Sequence, residues 1–389
     1  MHVVESYATS CGVQIDKPYI YEKYFPMAVD RYITIDCDAR VNSKLYHYWQ
    51  EVIDLLLPVL KENDITLVQV GRKEDPPMVG TYDTRAQASS NQIAFILSRS
   101  LLHLGTDNFT ADLASYYKTK NVCIFSNSLP EQSKPYWNYK KNSIFIQSPK
   151  DGDKPSYSVV EAPKTINSIR PNKIAEAVCK LLDIKLNFNY NYEHVGQDYH
   201  TSKANLIPDS MLVNYGLPGI PVSVRMDYLF NEQALAANLQ TAKLSVVTNK
   251  PIDANLVTNL KSNIEEIIYL IEEDHDPNFI KFLLSSGVKY NLLSSLDEDK
   301  IQEIKIHYMD YGVISYQKKL TKEDVFKGID KPLFYKSNKF ILGSGKIYPS
   351  KSAWKRDIPT NSLTKQILPV IDDKDFWDDI GNYCILSFK

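Results

Sequence analysis

The sequence predicts an α/β chain made of two Rossmann-like domains, and three observations carry that prediction. Short β-branched stretches alternate with amphipathic helical stretches from Arg31 to about Leu186. The same alternation resumes between Leu244 and Tyr308. The chain is 389 residues long, 43% hydrophobic and 24% charged, which suffices for two buried cores without disulfide or metal staples. Strands separated by helices of this length make βαβ units and parallel sheets.

In order, Tyr32–Asp36 is short, β-branched and apolar at alternate positions, and reads as a strand. His47 to Glu62 places Val52, Leu55, Leu56, Val59 and Leu60 on one helical stripe. Ile65 to Val70 is a second strand, ended by Gly71. Asn91–Arg99 reads as a helix, Leu101–Leu104 as a very short strand, Thr110–Tyr117 as a helix and Asn121–Phe125 as a strand. Pro171 announces a last amphipathic helix, Lys173–Leu182. Residues 31–186 thus form a first domain. Residues 187–208 are polar and aromatic without periodicity and read as a linker. Residues 209–389 form a second domain, with strands at Leu244–Thr248, Glu265–Ile271 and Lys289–Leu293, and helices at Asp253–Leu260, Asn278–Ser286 and Asp297–Tyr308. Residues 1–30, a helix and a connecting segment, are expected to pack on the second domain.

Composition narrows the classes of function. A formal charge of −2 exerts no global pull on nucleic acid. The five cysteines are scattered, odd in number and never spaced C-x-x-C, which favours a reducing compartment over a disulfide framework or structural zinc. No apolar run approaches the roughly 18 residues of a membrane span, and Met1–Gly12 lacks the basic and apolar regions of a secretory signal. A cytoplasmic location is the expectation.

Chemistry concentrates in His103–Ser115. A strand ends at Leu104, Gly105 permits a tight turn, and Thr106, Asp107, Asn108, Phe109 and Thr110 lead into a helix. A helix start beyond a strand end presents amides and a dipole suited to a diphosphate. Asp107 and Asn108 read equally as plain helix caps.

The ordered motifs resemble the nucleotide-sugar-binding half of GT-B glycosyltransferases, in particular the heptosyltransferase-like family nine. Matching segments are Tyr32-Ile-Thr-Ile, Arg40-Val-Asn-Ser-Lys44, Tyr48-Trp49, Val68-Gln-Val-Gly71-Arg72-Lys-Glu74, Leu104-Gly105-Thr106-Asp107 with Asp112-Leu-Ala114, and Val122–Phe125 leading to Pro135-Tyr136. Phe109 stands where the family has glycine, and Asp112 where it has histidine. The family's acceptor domain comes first, whereas only about 30 residues precede Arg31 here, which implies a rearranged or circularly permuted GT-B-like chain. The family's N-terminal catalytic acid maps to no residue here, and the catalytic group stays unassigned.

The resemblance implies a metal-independent transfer of a sugar from a nucleotide-diphosphate donor to a hydroxyl acceptor. Lys44 and Arg72, with Arg40, would neutralise the leaving diphosphate; Glu74 completes the donor set. The donor is a co-substrate and no resident cofactor is expected. The acceptor is a saccharide or, because phage-encoded enzymes are among the look-alikes, a hydroxymethylated base in DNA. A non-catalytic nucleotide-sugar-binding protein is the alternative from another class.

Two further signals compete. Asp36-Cys37-Asp38 follows a strand and has the spacing of a D-x-D metal site. Between Lys331 and Arg356 seven basic residues stand without an acidic one. Lys336, Lys339, Lys346, Lys351, Lys355 and Arg356, interleaved with Trp354 and other aromatics, suit a polyanion or acceptor site, or else protected edge strands. The acidic runs at 272–276 and 372–379 read as solvated turns, and the dispersed histidines give no metal-ligand pattern.

Overall fold

Every residue of Tyr32–Asp36 is buried, as a strand covered on both faces requires. In the computed structural model this segment is β1, inside a six-stranded parallel sheet. The structure describes residues 1–37, 40–149, 154–162, 164–216, 219–316, 321–326, 331–361 and 366–389. They fall into two units, Met1–Tyr192 with Lys389, and Glu193–Phe388. Each unit is α/β and built on a parallel sheet, as the alternation of signals predicts.

The first unit contains α1 (Val3–Cys11), β1 (Tyr32–Asp36), α2 (Trp49–Glu62), β2 (Thr66–Val70), β3 (Tyr82–Asp83), α3 (Ser90–Arg99) and β4 (Leu102–Thr106). It continues with α4 (Phe109–Tyr116), β5 (Lys120–Phe125), α5 (Pro130–Ser133), β6 (Ser143–Gln147) and α6 (Pro171–Leu182). The strands run in the order β3-β2-β1-β4-β5-β6, all neighbours parallel. The order reverses between β1 and β4, and ligands of doubly wound sheets bind beyond the carboxyl ends at such a reversal. The apolar stripe of α2 is buried and packs with α6, while α3 and α4 meet through Ala94, Leu97, Leu113 and Ala114.

Residues 1–30, expected with the second domain, belong to this first unit. His2 Nε2 lies 2.7 Å from the Lys134 carbonyl oxygen, Arg99 donates to Glu22 at 2.9 Å, and Phe25 joins Tyr32, Val68, Val70 and Ile96 in one core. The aromatic and apolar side chains of this segment need an apolar partner. Its own sequence leaves open which of the two units supplies one.

The linker expectation for 187–208 is also corrected. The span holds two strands, β7 (Tyr190–Val195) and β8 (Lys203–Leu206). Next come β9 (Val222–Arg225), α7 (Glu232–Thr241), β10 (Leu244–Thr248), α8 (Ala254–Asn259), β11 (Ile264–Ile271), α9 (Pro277–Ser286), β12 (Tyr290–Ser294), α10 (Glu298–His307) and β13 (Ile314–Tyr316). The chain then adds β14 (Leu333–Ser337), β15 (Lys339–Gly343), β16 (Lys346–Tyr348), β17 (Leu368–Pro369) and β18 (Tyr383–Phe388). One sheet has eight strands in the order β13-β12-β11-β10-β9-β8-β15-β16, parallel except where β16 meets β15. The other has the order β17-β14-β18-β7, with β14 antiparallel to β17 and β18. The second unit is therefore a Rossmann-like sheet extended by a small antiparallel one.

Candidate functional site

At the carboxyl ends of β1, β2 and β4 the first unit opens into a cleft of about 600 Å³. Nine of the ten residues nominated for a donor line it: Arg40, Lys44, Arg72, Glu74, Thr106, Asp107, Asn108, Phe109 and Thr110. They come from separate loops, and the reversal of strand order is what gathers them.

Helix α4 forms one wall. Asn108 has extended backbone, and its side chain accepts from the amides of Thr110 at 3.1 Å and Ala111 at 3.2 Å. That satisfies two amides of the first turn and sets the positive end of the helix at the cleft. The capping reading and the anion-site reading are thus compatible. Asp36, at the end of β1, accepts on Oδ2 from Asn108 Nδ2 at 3.0 Å and from Thr110 Oγ1 at 2.6 Å. Its carboxylate ties β1 to the head of α4. Asp38 lies outside the described residues, and among those described no group of three or more metal-capable side chains assembles.

Gly105, the tenth nominee, does not line the cleft. A Cβ there would lie 3.3 Å from the Asp36 carbonyl oxygen and 3.3 Å from His103 Nε2. It permits close approach of β4 to β1 instead. Beneath it His103 is fully buried; its Nδ1 lies 3.0 Å from Thr34 Oγ1, and burial pushes its pKa down to about 3.

Lys44 reaches the cleft from a 3-10 turn, Asn42–Lys44. Its ammonium lies 2.6 Å from Asp107 Oδ2 and 3.2 Å from the Asp107 carbonyl oxygen. The Asp107 side chain is 5% exposed; burial raises its carboxyl above the ordinary range, and Lys44 opposes that rise. The expected cation therefore arrives already paired, with one of its three donors left over. Arg72 follows Gly71, whose φ of +141° suits glycine and whose Cβ would meet Asp75 Oδ2 at 2.6 Å. The Arg72 amide donates to Asp75 Oδ2 at 2.5 Å, and the guanidinium, 47% exposed, keeps a loose contact with Oδ1 at 3.4 Å. Glu74 stands exposed at the rim. Lys73 and the capping-box serine Ser89, with Ser90, line the same cleft and were missed. Ser89-x-x-Gln92, a helix-start signature, was the available clue.

The C-terminal nominees belong to the second unit. Lys336 and Lys339 are each 6% exposed. Lys339 pairs with Asp379 at 2.7 Å, Lys346 with Asp357 at 2.9 Å, Lys351 and Lys355 both with Asp375, and Arg356 with Asp373 at 3.0 Å. Trp354 stacks on Tyr228 at 5.9 Å. Four acids of 357–379, outside the basic window, thus pair with five of its seven basic residues. A polyanion would have to compete with those carboxylates for the paired side chains.

No known family profile matches the chain, and no curated protein matches it. Solved structures do. A family 9 glycosyl transferase from Veillonella parvula overlays 46% of this chain and 49% of its own at 13% identity, TM-score 0.33. Escherichia coli ADP-heptose lipopolysaccharide heptosyltransferase II overlays 46% and 50% at 14% identity, TM-score 0.31. The dodecameric heptosyltransferase TibC, crystallised with ADP-D-beta-D-heptose, overlays 44% and 51% at 14% identity, TM-score 0.34. The chain spans about half the length of these structures. By fold and site this is an α/β protein with a polar, cation-bearing crevice at a sheet's reversal point. Among its described residues no helix is long and apolar enough to cross a membrane.

Proposed function

We propose that the first unit binds a nucleotide-diphosphate sugar and that the protein transfers the sugar to a hydroxyl acceptor without a bound metal. The observation that carries this is the convergence of Arg40, Lys44, Arg72 and the head of α4 on one cleft at the reversal point. Negative charge grows on the diphosphate as the sugar departs, and preorganised cations and a helix start stabilise that charge more in the transition state than in the ground state. A saccharide is the favoured acceptor. A hydroxymethylated base in DNA is the second choice, because five of the seven cations in the basic window that would hold the backbone are already paired with neighbouring acids.

A second reading is a binding protein without turnover. Lys44 committed to Asp107, and Phe109 and Asp112 standing where the resembling family has glycine and histidine, favour it. Release of nucleotide from UDP-, ADP- and GDP-sugars, measured with and without EDTA, separates the two. The transferase reading expects slow release from one donor, indifferent to EDTA and reduced at least tenfold by Lys44→Ala. Binding of a donor with no release under any condition would leave the binding protein as the account.

A further inference from the structure

Beside the cleft, and wholly within the first unit, lies a second cavity of about 520 Å³. The segment 18–21, the head of α3, one face of α4 and Trp137 line it. Phe109 and Ser90 line both cavities, so occupants of the two would abut. Its walls are rings, Tyr19, Tyr21, Phe109, Tyr116 and Trp137, and Asp112 is its one carboxylate. Tyr19 is 88% exposed, Tyr21 59% and Phe109 49%. Aromatic surface held open in a concavity marks a binding site more often than an accident of packing. Lys17 sits 4.1 Å over the ring of Tyr116 and steadies that wall. Asp112 accepts no side-chain hydrogen bond among the described residues and faces the cavity with its acceptor capacity unspent.

We propose that this cavity is a saccharide subsite, in which the C–H face of a pyranose packs on the Trp137 and tyrosine rings and a ring hydroxyl donates to Asp112. Apolar ring faces suit the axial hydrogens of a sugar, and an ionised carboxylate accepts from a hydroxyl at almost any angle. A nucleobase fits less well, since its edge alternates donors and acceptors in a fixed pattern and the neighbouring cleft has volume enough for a nucleotide. The role of this sugar as acceptor rests on the transferase reading; its binding does not.

The test uses the full chain labelled with 5-fluorotryptophan, whose four tryptophans give four fluorine resonances, Trp137 being assigned with Trp137→Phe. Methyl α-D-glucopyranoside, galactopyranoside and mannopyranoside are titrated without nucleotide, then adenosine, guanosine and uridine. The expected result is that at least one glycoside moves the Trp137 resonance selectively. Asp112→Ala, with its other three resonances in place as proof of folding, should weaken that binding about tenfold, the scale of one charge-assisted hydrogen bond. No movement with any glycoside, or movement with nucleosides only, overturns the proposal. Glycoside binding in a protein that binds no nucleotide sugar would overturn the transferase reading and leave the subsite standing; the opposite pair of results does the reverse.

Discussion

At the residue scale, three titratable groups are held away from their ordinary behaviour. Burial, and then the charge of Asp107, push the Asp112 carboxyl up to about 6, against the opposing pull of His2 and Lys44. An acid raised in the fold costs stability once pH passes its unfolded value and it must ionise. Asp112→Asn is therefore expected to stabilise the protein by about 1 kcal/mol at pH 7.5, after discount for the carboxylate's exposure, and to lose that advantage near pH 4. Urea midpoints at the two pH values check it. His103 shows the other sign: with its folded pKa lowered to about 3 by burial, only the unfolded chain takes up its proton. Stability should fall as pH drops below about 6.5, by roughly 1.4 kcal/mol per unit from this residue. His103→Leu should flatten that limb, and an unchanged slope would refute the assignment. Lys44→Ala leaves Asp107 buried without its cation and is expected to cost about 1–3 kcal/mol in chemical denaturation.

At the scale of elements, the cleft depends on how β1, β4 and α4 meet. Asn108→Ala removes the cap and the bond to Asp36 together, and should cost about 1–2 kcal/mol while weakening any anion at the helix head. Elements with strong internal pattern were legible in the sequence: the stripe of α2, the β-branched and largely apolar runs of β1 and β5, and the strand–turn–helix at 102–116. The cleft residues on short loops beside those elements were legible for the same reason. What escaped was decided by distant partners. β8 sits between β9 and β15, and pairing with residues more than a hundred positions away makes a strand of an unremarkable Lys203–Leu206. The Tyr and Asn alternation of β7 looked like linker because both residue types are common in loops. The aromatic cavity was invisible, since Tyr19, Tyr116 and Trp137 come together only through the packing of three segments.

At the scale of the whole chain, 45 basic and 47 acidic residues are close to balance, and the second unit shows where part of that balance is held. Lys339 and Asp379 form a nearly buried pair, as do Arg225 and Asp227 through two bonds of 2.7 and 2.6 Å. Breaking such a pair costs more than replacing it. Lys339→Ala should destabilise by about 3–5 kcal/mol, and Lys339→Met with Asp379→Leu by clearly less. Equal losses would show that the pair's charges are not what the site needs. In the first unit Arg40, Lys44, Arg72 and Lys73 meet the head of α4 at one cleft, and the central claim is that this crevice holds a diphosphate. Thermal denaturation with ADP, UDP and GDP, each at about 100 times its dissociation constant, tests it most directly. One of them should add roughly 2.7 kcal/mol, a rise of a few degrees, with EDTA present and much less in Lys44→Ala. No rise with any of the three would contradict the claim that this crevice is a diphosphate site.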